Sequence, residues 1–372
     1  MKSTVVIITD KVEYQSRLRN IVHTLMNNNY NVTILSGDAQ YVKDYYEYRN
    51  VRVVNLPILY TQYKIISLVS QFVFNFQVYK NMQLIDYDFI LCYNTIGLMA
   101  GASSKIMTKN KVLVYDSLEL SVERYTGFKK KVWGFIQKIC LRYCDKIIQA
   151  ESNRLKYFQQ LYNIPITKMV LLENYPLKKH SSGKNKRSPV DMVRVIYLGF
   201  IWGNRGYEEL IHSFSLLNSN ITLDIVGPGD EKYISYFKDI IYSKNISNVK
   251  ILPAISPDEI NEYLSNYDIG IFFYKNSNLN NYYCASTKMY NYINAGLAVI
   301  SYNYPGIFDV IVKNKIGFCV NEITAEEIET AILTITNDNY LANITPELIN
   351  TFSWEYQEHQ LLSIFQNRTP QS

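Results

Sequence analysis

The alternation of segment types constrains this chain most. VVIITD (5–10) is a short apolar, β-branched run, and Tyr14 to Met26 after it carries Leu18, Ile21, Val22 and Leu25 at helical spacing. NVTILSG (31–37), VRVVNLPI (51–58, broken at Pro57), YDFILCYN (87–94), KVLVYDS (111–117), DKIIQAES (145–152) and MVLLENYP (169–176) continue the series. LKKHSSGKNKRSPV (177–190) interrupts it. That stretch is polar and basic, holds Gly183 and Pro189, and has almost nothing to bury, so it reads as a linker. The alternation then restarts with VRVIYLG (193–199), ITLDIVGPG (221–229), VKILPA (249–254), YDIGIFFY (267–274) and LAVISY (297–302). Between them, SPDEINEYLSN opens with a Ser-Pro cap and an acidic first turn, which predicts a helix. Continuous apolar strands separated by helices belong to parallel sheets covered on both faces. The expected architecture is therefore α/β: two doubly wound, Rossmann-like domains at 1–176 and 191–352, with right-handed crossovers. Ligands bind such sheets beyond the carboxyl ends of their strands, and the cleft between two such domains is the expected site.

A length of 372 residues fits two domains, and 48% hydrophobic residues suffices for two cores. The five cysteines are scattered. Cys140 and Cys144 lie four apart with no second pair or nearby His, so no metal site is expected and the thiols read as buried and structural, in a reducing compartment. MKSTVVIITD enters a strand directly, without the pattern of a signal peptide. The apolar run 65–76 is too short to span a bilayer and contains Gln71 and Asn75. Charge is unevenly divided. Residues 1–175 hold 22 basic and 13 acidic residues, the linker five basic and none acidic, and residues 191–372 hold 11 basic and 20 acidic. The first half should therefore meet something anionic, a membrane surface or a phosphorylated acceptor. No nucleic-acid-binding module accompanies the charge.

Two helical stretches leave alternatives open. Residues 61–82 are more apolar than a solvent-facing helix should be, so this helix packs on the sheet or faces an acceptor or membrane. GFKKKVWGFIQKI (127–139) combines three lysines with Trp133 and Phe135, as an interfacial helix does, or is an ordinary amphipathic helix with a solvated lysine face.

The polar residues at strand ends in the second half suggest an anion site. Asn204, Arg205 and Gly206 follow the strand 193–199 and precede a helix. In 283–311, Ser286 is a candidate N-cap whose hydroxyl can take a free backbone N–H, and Gly296 can take the left-handed position after the helix. Thr287, Lys288 and Asn291 share one side of that helix, with Met289 and Ile293 nearly opposite. Either Arg205 and Lys288 clamp a diphosphate between two helix starts, or Arg205 caps a carboxylate and Lys288 is solvated.

The order of segments resembles the GT-B fold glycosyltransferases of glycosyltransferase family 4. VRVIYLGFIWGNRGYEELIHSF resembles the family's strand, loop, basic-Gly pair and helix; LDIVGPG resembles its next strand and glycine turn. STKMYNYINAGLAVISYNYPGIFDVI resembles its donor-site helix, strand and Pro-Gly turn. YDSLEL (115–120) resembles a first-domain Asp-x-His-Glu-Leu segment, and FSWEYQEHQLLSIF (352–365) the helix that crosses back to the first domain, here 353–372. The resemblance implies a retaining, metal-independent transfer of sugar from a nucleotide diphosphate, with no other cofactor. It implies catalytic roles for Arg205, Lys288, Asp116 and Glu119, the last two orienting an acceptor hydroxyl; the residues alone leave open that either of these carboxylates caps a helix start instead. It implies donor binding by Gly199, Asn204, Gly206, Gly227, Tyr283, Ser286, Thr287 and Asn291. This chain departs from the pattern at four places. Tyr283 and Asn291 stand where the family has a pair of glutamates, Leu118 replaces its His, and Phe200 stands where an Arg often follows the first glycine.

The expected function is transfer of a sugar to a lipid-linked or polysaccharide acceptor in cell-surface glycan synthesis, such as capsule or lipopolysaccharide. The expected place is the cytoplasm, peripheral at the inner face of the plasma membrane. A catalytically weak partner subunit of another transferase is the alternative that the changed donor positions suggest. A sugar-nucleotide epimerase shares the fold, but no matching carboxylate and His set stands in the first half.

Overall fold

The computed structural model describes residues 1–11, 15–38, 51–58, 64–178, 192–203, 205–256 and 259–366. Most of the linker, together with Asn204, Pro257 and Asp258, lies outside the described residues. The chain divides into two compact units, Met1–Glu173 with Gln357–Ser372, and Asn174–Tyr356.

In the first unit, β1 (Lys2–Lys11), β2 (Tyr30–Asp38), β3 (Arg52–Asn55), β4 (Phe89–Tyr93), β5 (Val112–Ser117), β6 (Lys146–Gln149) and β7 (Met169–Leu171) form one sheet. Their order is β3-β2-β1-β4-β5-β6-β7, and every pairing is parallel. Val5–Ile8 of β1 and all five residues of β4 are buried, as strands covered on both faces must be. The connections run through the helices Ser16–Asn27, Lys64–Met82, Asn94–Met107, Gly127–Leu141 and Ser152–Tyr162. The last helix, Trp354–Gln366, completes this core, with Leu361, Ile364 and Phe365 buried.

The second unit repeats the plan with β8 (Val193–Leu198), β9 (Ile221–Val226), β10 (Val249–Leu252), β11 (Ile269–Ile271), β12 (Ala298–Tyr302) and β13 (Gly317–Val320). All are parallel, in the order β10-β9-β8-β11-β12-β13. β13 is an addition to the sequence reading, because its four residues are only half buried and form no conspicuous apolar run. Strand order reverses between β1 and β4 in one sheet and between β8 and β11 in the other. Crevices open at such switch points beyond the strand ends.

Three local expectations meet the structure. Of the helix expected from Ser256 onward, Ile260–Leu264 is described, with Glu259 at its N-cap, while the expected Pro257 and Asp258 start lies outside the described residues. The Pro-Gly turn at 305–306 instead opens a helix, Pro305–Ile311. Proline suits a first helical position, where no donor is needed and φ is already set. Ser286 does sit at the N-cap of Thr287–Asn294, but its hydroxyl makes no capping bond and is buried without a partner among the described residues.

Candidate functional site

The site grows from the β8/β11 switch point. The helix Thr287–Asn294 is fixed to both strands by Tyr292, whose hydroxyl donates to Ile271 O at 3.1 Å and accepts from Leu198 N at 2.8 Å. Gly270 makes that contact feasible, since a Cβ there would stand 2.3 Å from the Tyr292 ring. Met289, Tyr290 and Ile293 face the core, while Thr287, Lys288 and Asn291 remain partly exposed on the other side. The helix ends in a Schellman motif: Leu297 N donates to Tyr292 O at 2.9 Å, Gly296 N to Ile293 O at 3.0 Å, and Gly296 has φ +80°. With no side-chain cap, the N–H groups of its first turn have no intrahelical partner.

The loop after β8 is shaped by glycines. Gly199 has φ +154°, and a Cβ on it would lie 2.4 Å from Lys288 Cε, so its bareness makes room for the lysine stem. Gly227 (φ +152°) packs on Gly199 itself, where a Cβ would fall 2.0 Å from Gly199 O. Gly206 has φ +75° at the N-cap of the helix Tyr207–Ser215, a left-handed position that favours glycine. The Tyr207 hydroxyl donates to Phe200 O at 3.1 Å and draws the loop back over the strand end.

Arg205 and Lys288 meet on one ring. The Arg205 guanidinium lies 4.5 Å from the centroid of Tyr274, just beyond β11, and Lys288 Nζ lies 5.0 Å from it and donates to the Tyr274 hydroxyl at 3.1 Å. Tyr304 holds the strand end by donating its hydroxyl to Tyr274 O at 2.7 Å. Among the described residues no carboxylate pairs with either cation; Glu209, the nearby acid in the first turn of Tyr207–Ser215, is taken by Lys275 at 2.6 Å. Arg205 Nη1 is buried with no hydrogen-bond partner among the described residues. Burial pushes the Tyr274 phenol up, but the charge and hydrogen bond of Lys288, with Arg205 beyond, bring it below the ordinary value of 10.0. Burial lowers Lys288, and Tyr274 and Tyr197 more than offset this, so its ammonium is held above its ordinary value. Two adjacent cations, a guanidinium N–H left over and an uncapped helix start can together meet an anion. Among the described residues Arg205 caps no carboxylate, and Lys288, partly exposed, spends one donor on the Tyr274 hydroxyl.

The structure thus brings Gly199, Arg205, Gly206, Gly227, Ser286, Thr287 and Lys288 to one strand-end region. Asn291 follows one turn along the same helix, and Tyr283 lies just before it, edge-on to Tyr282 at 5.0 Å. Sequence reasoning missed Tyr274. As the last residue of an apolar strand run it reads as core, and only the sheet order places it at the switch point.

The first-unit residues are engaged otherwise. Asp116, at the end of β5, is fully buried, and Arg17 Nε contacts its Oδ2 at 2.7 Å while Arg17 Nη1 donates to Leu172 O at 2.5 Å. Burial raises the Asp116 carboxyl more than Arg17 lowers it. This is the pattern of an internal ion pair rather than of a carboxylate open to a substrate. Glu119 is exposed and pairs with Arg124 at 2.5 Å. Neither caps a helix; that role falls to Glu151, which accepts from Asn153 N and Arg154 N at the start of Ser152–Tyr162. Burial raises the thiols of Cys140 and Cys319 to about 11 and about 12, and none of the five cysteines forms a disulfide. Among the described residues no group of three or more His, Cys, Asp or Glu side chains is placed to hold a metal ion.

Two doubly wound parallel-sheet units in one chain define the GT-B fold of glycosyltransferases. Residues 179–347, most of the second unit and less than half of the chain, match the family model described as glycosyl transferases group 1. The chain is similar in structure to HepE from Anabaena, solved with UDP and with UDP-glucose (TM-score 0.78, 14% identity, covering 98% of this chain and 99% of that one). It is also similar to the lipopolysaccharide outer core galactosyltransferase WaaB (TM-score 0.72, 11% identity, 98% and 99% covered). In sequence it is 21% identical to an uncharacterised glycosyltransferase of Methanocaldococcus jannaschii, over 92% of each chain.

Proposed function

We propose that this protein moves a sugar from a nucleotide-diphosphate donor to a membrane-associated acceptor, lipid-linked or polysaccharide, in the synthesis of a cell-surface glycan. The observation that carries the donor half is the pair of uncompensated cations on Tyr274. As the bond from sugar to diphosphate breaks, negative charge develops on the leaving group. Arg205 can fork onto it, Lys288 can meet it as a point charge, and the first-turn N–H groups of Thr287–Asn294 point at it. These groups stand in place before reaction, so little reorganisation opposes them. Gly199, Gly206 and Gly227 shape the loop, while Asn291 can hydrogen-bond ribose hydroxyls without charge. The ligands of HepE make uridine diphosphate sugars the first donors to screen.

The acceptor half is supported by the basic first half of the sequence and by the lipopolysaccharide role in the name of WaaB. Among the described residues no helix is long and apolar enough to cross a membrane, so the proposed attachment is peripheral, at the cytoplasmic face. Retention at the anomeric carbon and independence of metal belong to the same reading: product and donor should share anomeric configuration by NMR, and EDTA should leave turnover unchanged.

Calorimetry with a panel of nucleotide sugars tests the donor site. Arg205→Ala should weaken binding of the preferred donor about 10- to 100-fold, the range of one or two charged hydrogen bonds. Unchanged affinity would remove the diphosphate clamp. The second reading, a partner subunit without turnover, is favoured by Tyr283 and Asn291 at the positions of the expected carboxylates. Failure of every donor to bind the wild-type chain would select it.

A further inference from the structure

We infer that the face formed by the helices Lys64–Met82 and Gly127–Leu141 of the first unit docks on an anionic lipid bilayer. Its aromatic side chains enter the hydrocarbon boundary and its lysines meet the headgroups. The inference rests on the proposed membrane-held acceptor and names the surface that would reach it.

Both helices carry a second apolar stripe that no core explains. In Lys64–Met82, Phe74, Val78 and Met82 are buried, four residues apart. Val69, Phe72, Val73 and Phe76 repeat at helical spacing on another side and are 47–60% exposed. In Gly127–Leu141, the buried residues are Gln137 and Leu141. Phe128, Val132, Phe135 and Ile139 form an exposed stripe, with Phe128 at 82% and Phe135 at 66%. Both helices pack on Asn94–Met107 between them. A groove of about 370 Å³ opens there, lined by Phe72, Met99, Phe128, Val132, Trp133 and Ile136 among others. Exposed apolar surface of this extent, continuous across two helices, marks an interaction site.

The charge selects the occupant. These three helices contain seven lysines and no aspartate or glutamate. Lys105 and Lys130 are committed to Asp145 and Glu123. Lys80, Lys129, Lys131 and Lys138 make no ion pair among the described residues; Lys129 extends over Tyr125 at 4.0 Å and Lys80 over Phe76 at 4.7 Å. Protein interfaces are depleted in lysine at their cores and meet charges of both signs at their rims. A single sign of charge on flexible stems around aromatic and aliphatic stripes suits the boundary of an anionic bilayer.

Vesicle sedimentation of the full chain tests this, with phosphatidylcholine vesicles compared with vesicles containing phosphatidylglycerol. The wild type should bind the anionic vesicles and lose most of that binding on neutral ones. Lys131→Ala with Lys138→Ala should weaken binding at low salt by roughly 25-fold, about fivefold per lysine. Phe128→Ser with Phe135→Ser should weaken it at least about tenfold at any salt. Circular dichroism should be unchanged in both variants, because all four side chains are exposed. Donor affinity, read by calorimetry, should also be unchanged, which separates this surface from the donor site. Equal binding to neutral and anionic vesicles, or wild-type binding by both variants, overturns the inference. So does loss of self-association in the Phe variant with vesicle binding intact, which would make the face a contact between copies.

Discussion

Tyr274 decides how the proposed donor site responds to pH. Its neutral phenol lets Lys288 and Arg205 act together on an anion; its ionised form would supply the negative charge that a diphosphate brings. Burial opposes ionisation, yet the two cations hold the phenol below its ordinary value, and Lys288 stays protonated through the same range. Donor affinity should therefore be fullest below the lowered tyrosine value and decline as pH rises through it. Tyr274→Phe should flatten the decline, at the cost of the hydrogen bond that positions Lys288 at 3.1 Å. Calorimetric titrations from neutral to alkaline pH check this, and an equal decline in the Phe variant would exclude Tyr274 as its source. In the sequence Arg205 and Lys288 each stand beside a helix start at a strand end, and the structure brings both to one ring. Tyr274 was not legible there, because a tyrosine closing an apolar strand has the same signature in any core. Asp116 misled for the opposite reason: a carboxylate at a strand end reads as available, and only the fold brings Arg17 to it.

Among the elements, the helix Thr287–Asn294 and the loop before Arg205 each depend on a glycine, for different reasons. Gly296 closes the helix at φ +80°, with no ligand role assigned to it. Gly296→Ala should lower the stability of the second unit by about 1 kcal/mol, read by urea denaturation, and leave donor affinity alone. Gly199→Ala should also cost stability, because alanine rarely adopts a φ of +154°, but unlike Gly296→Ala it should lower donor affinity as well. Its Cβ would meet Lys288 Cε at 2.4 Å, the flexible end of the lysine would swing aside, and donor affinity should fall about tenfold. Equal effects of the two substitutions on binding would mean that Gly199 does not position Lys288. The glycine of the helix end was readable from spacing. That of the loop, Gly199, entered only through the family resemblance, since its neighbour Lys288 comes from a segment nearly 90 residues away. Strands such as VVIITD and LAVISY were legible because burial on both faces leaves continuous apolar runs. Short elements such as Gly317–Val320 and Pro305–Ile311 were not, being held by tertiary contacts rather than by local pattern.

At the scale of the whole molecule, the chain is not two consecutive beads. The last helix begins in the second unit and ends in the first, where Leu361, Ile364 and Phe365 are nearly or fully buried. Phe365 packs on Phe89 of β4 at 5.0 Å and on Tyr30 of β2 at 6.0 Å. Its carbonyl accepts from the Tyr30 hydroxyl at 3.0 Å and from Lys2 Nζ at 3.1 Å. Burying three such side chains contributes about 5 to 9 kcal/mol. That is comparable with the whole stability of a domain, about 5 to 15 kcal/mol. A chain ending at Tyr356 should therefore lose the first unit while the second survives. Limited proteolysis should then cut residues 1–173 and spare 192–356, and the preferred donor should still bind, since Arg205, Tyr274 and Lys288 all belong to the second unit. A protected first unit in that truncated chain would show that the returning helix only decorates a core complete without it.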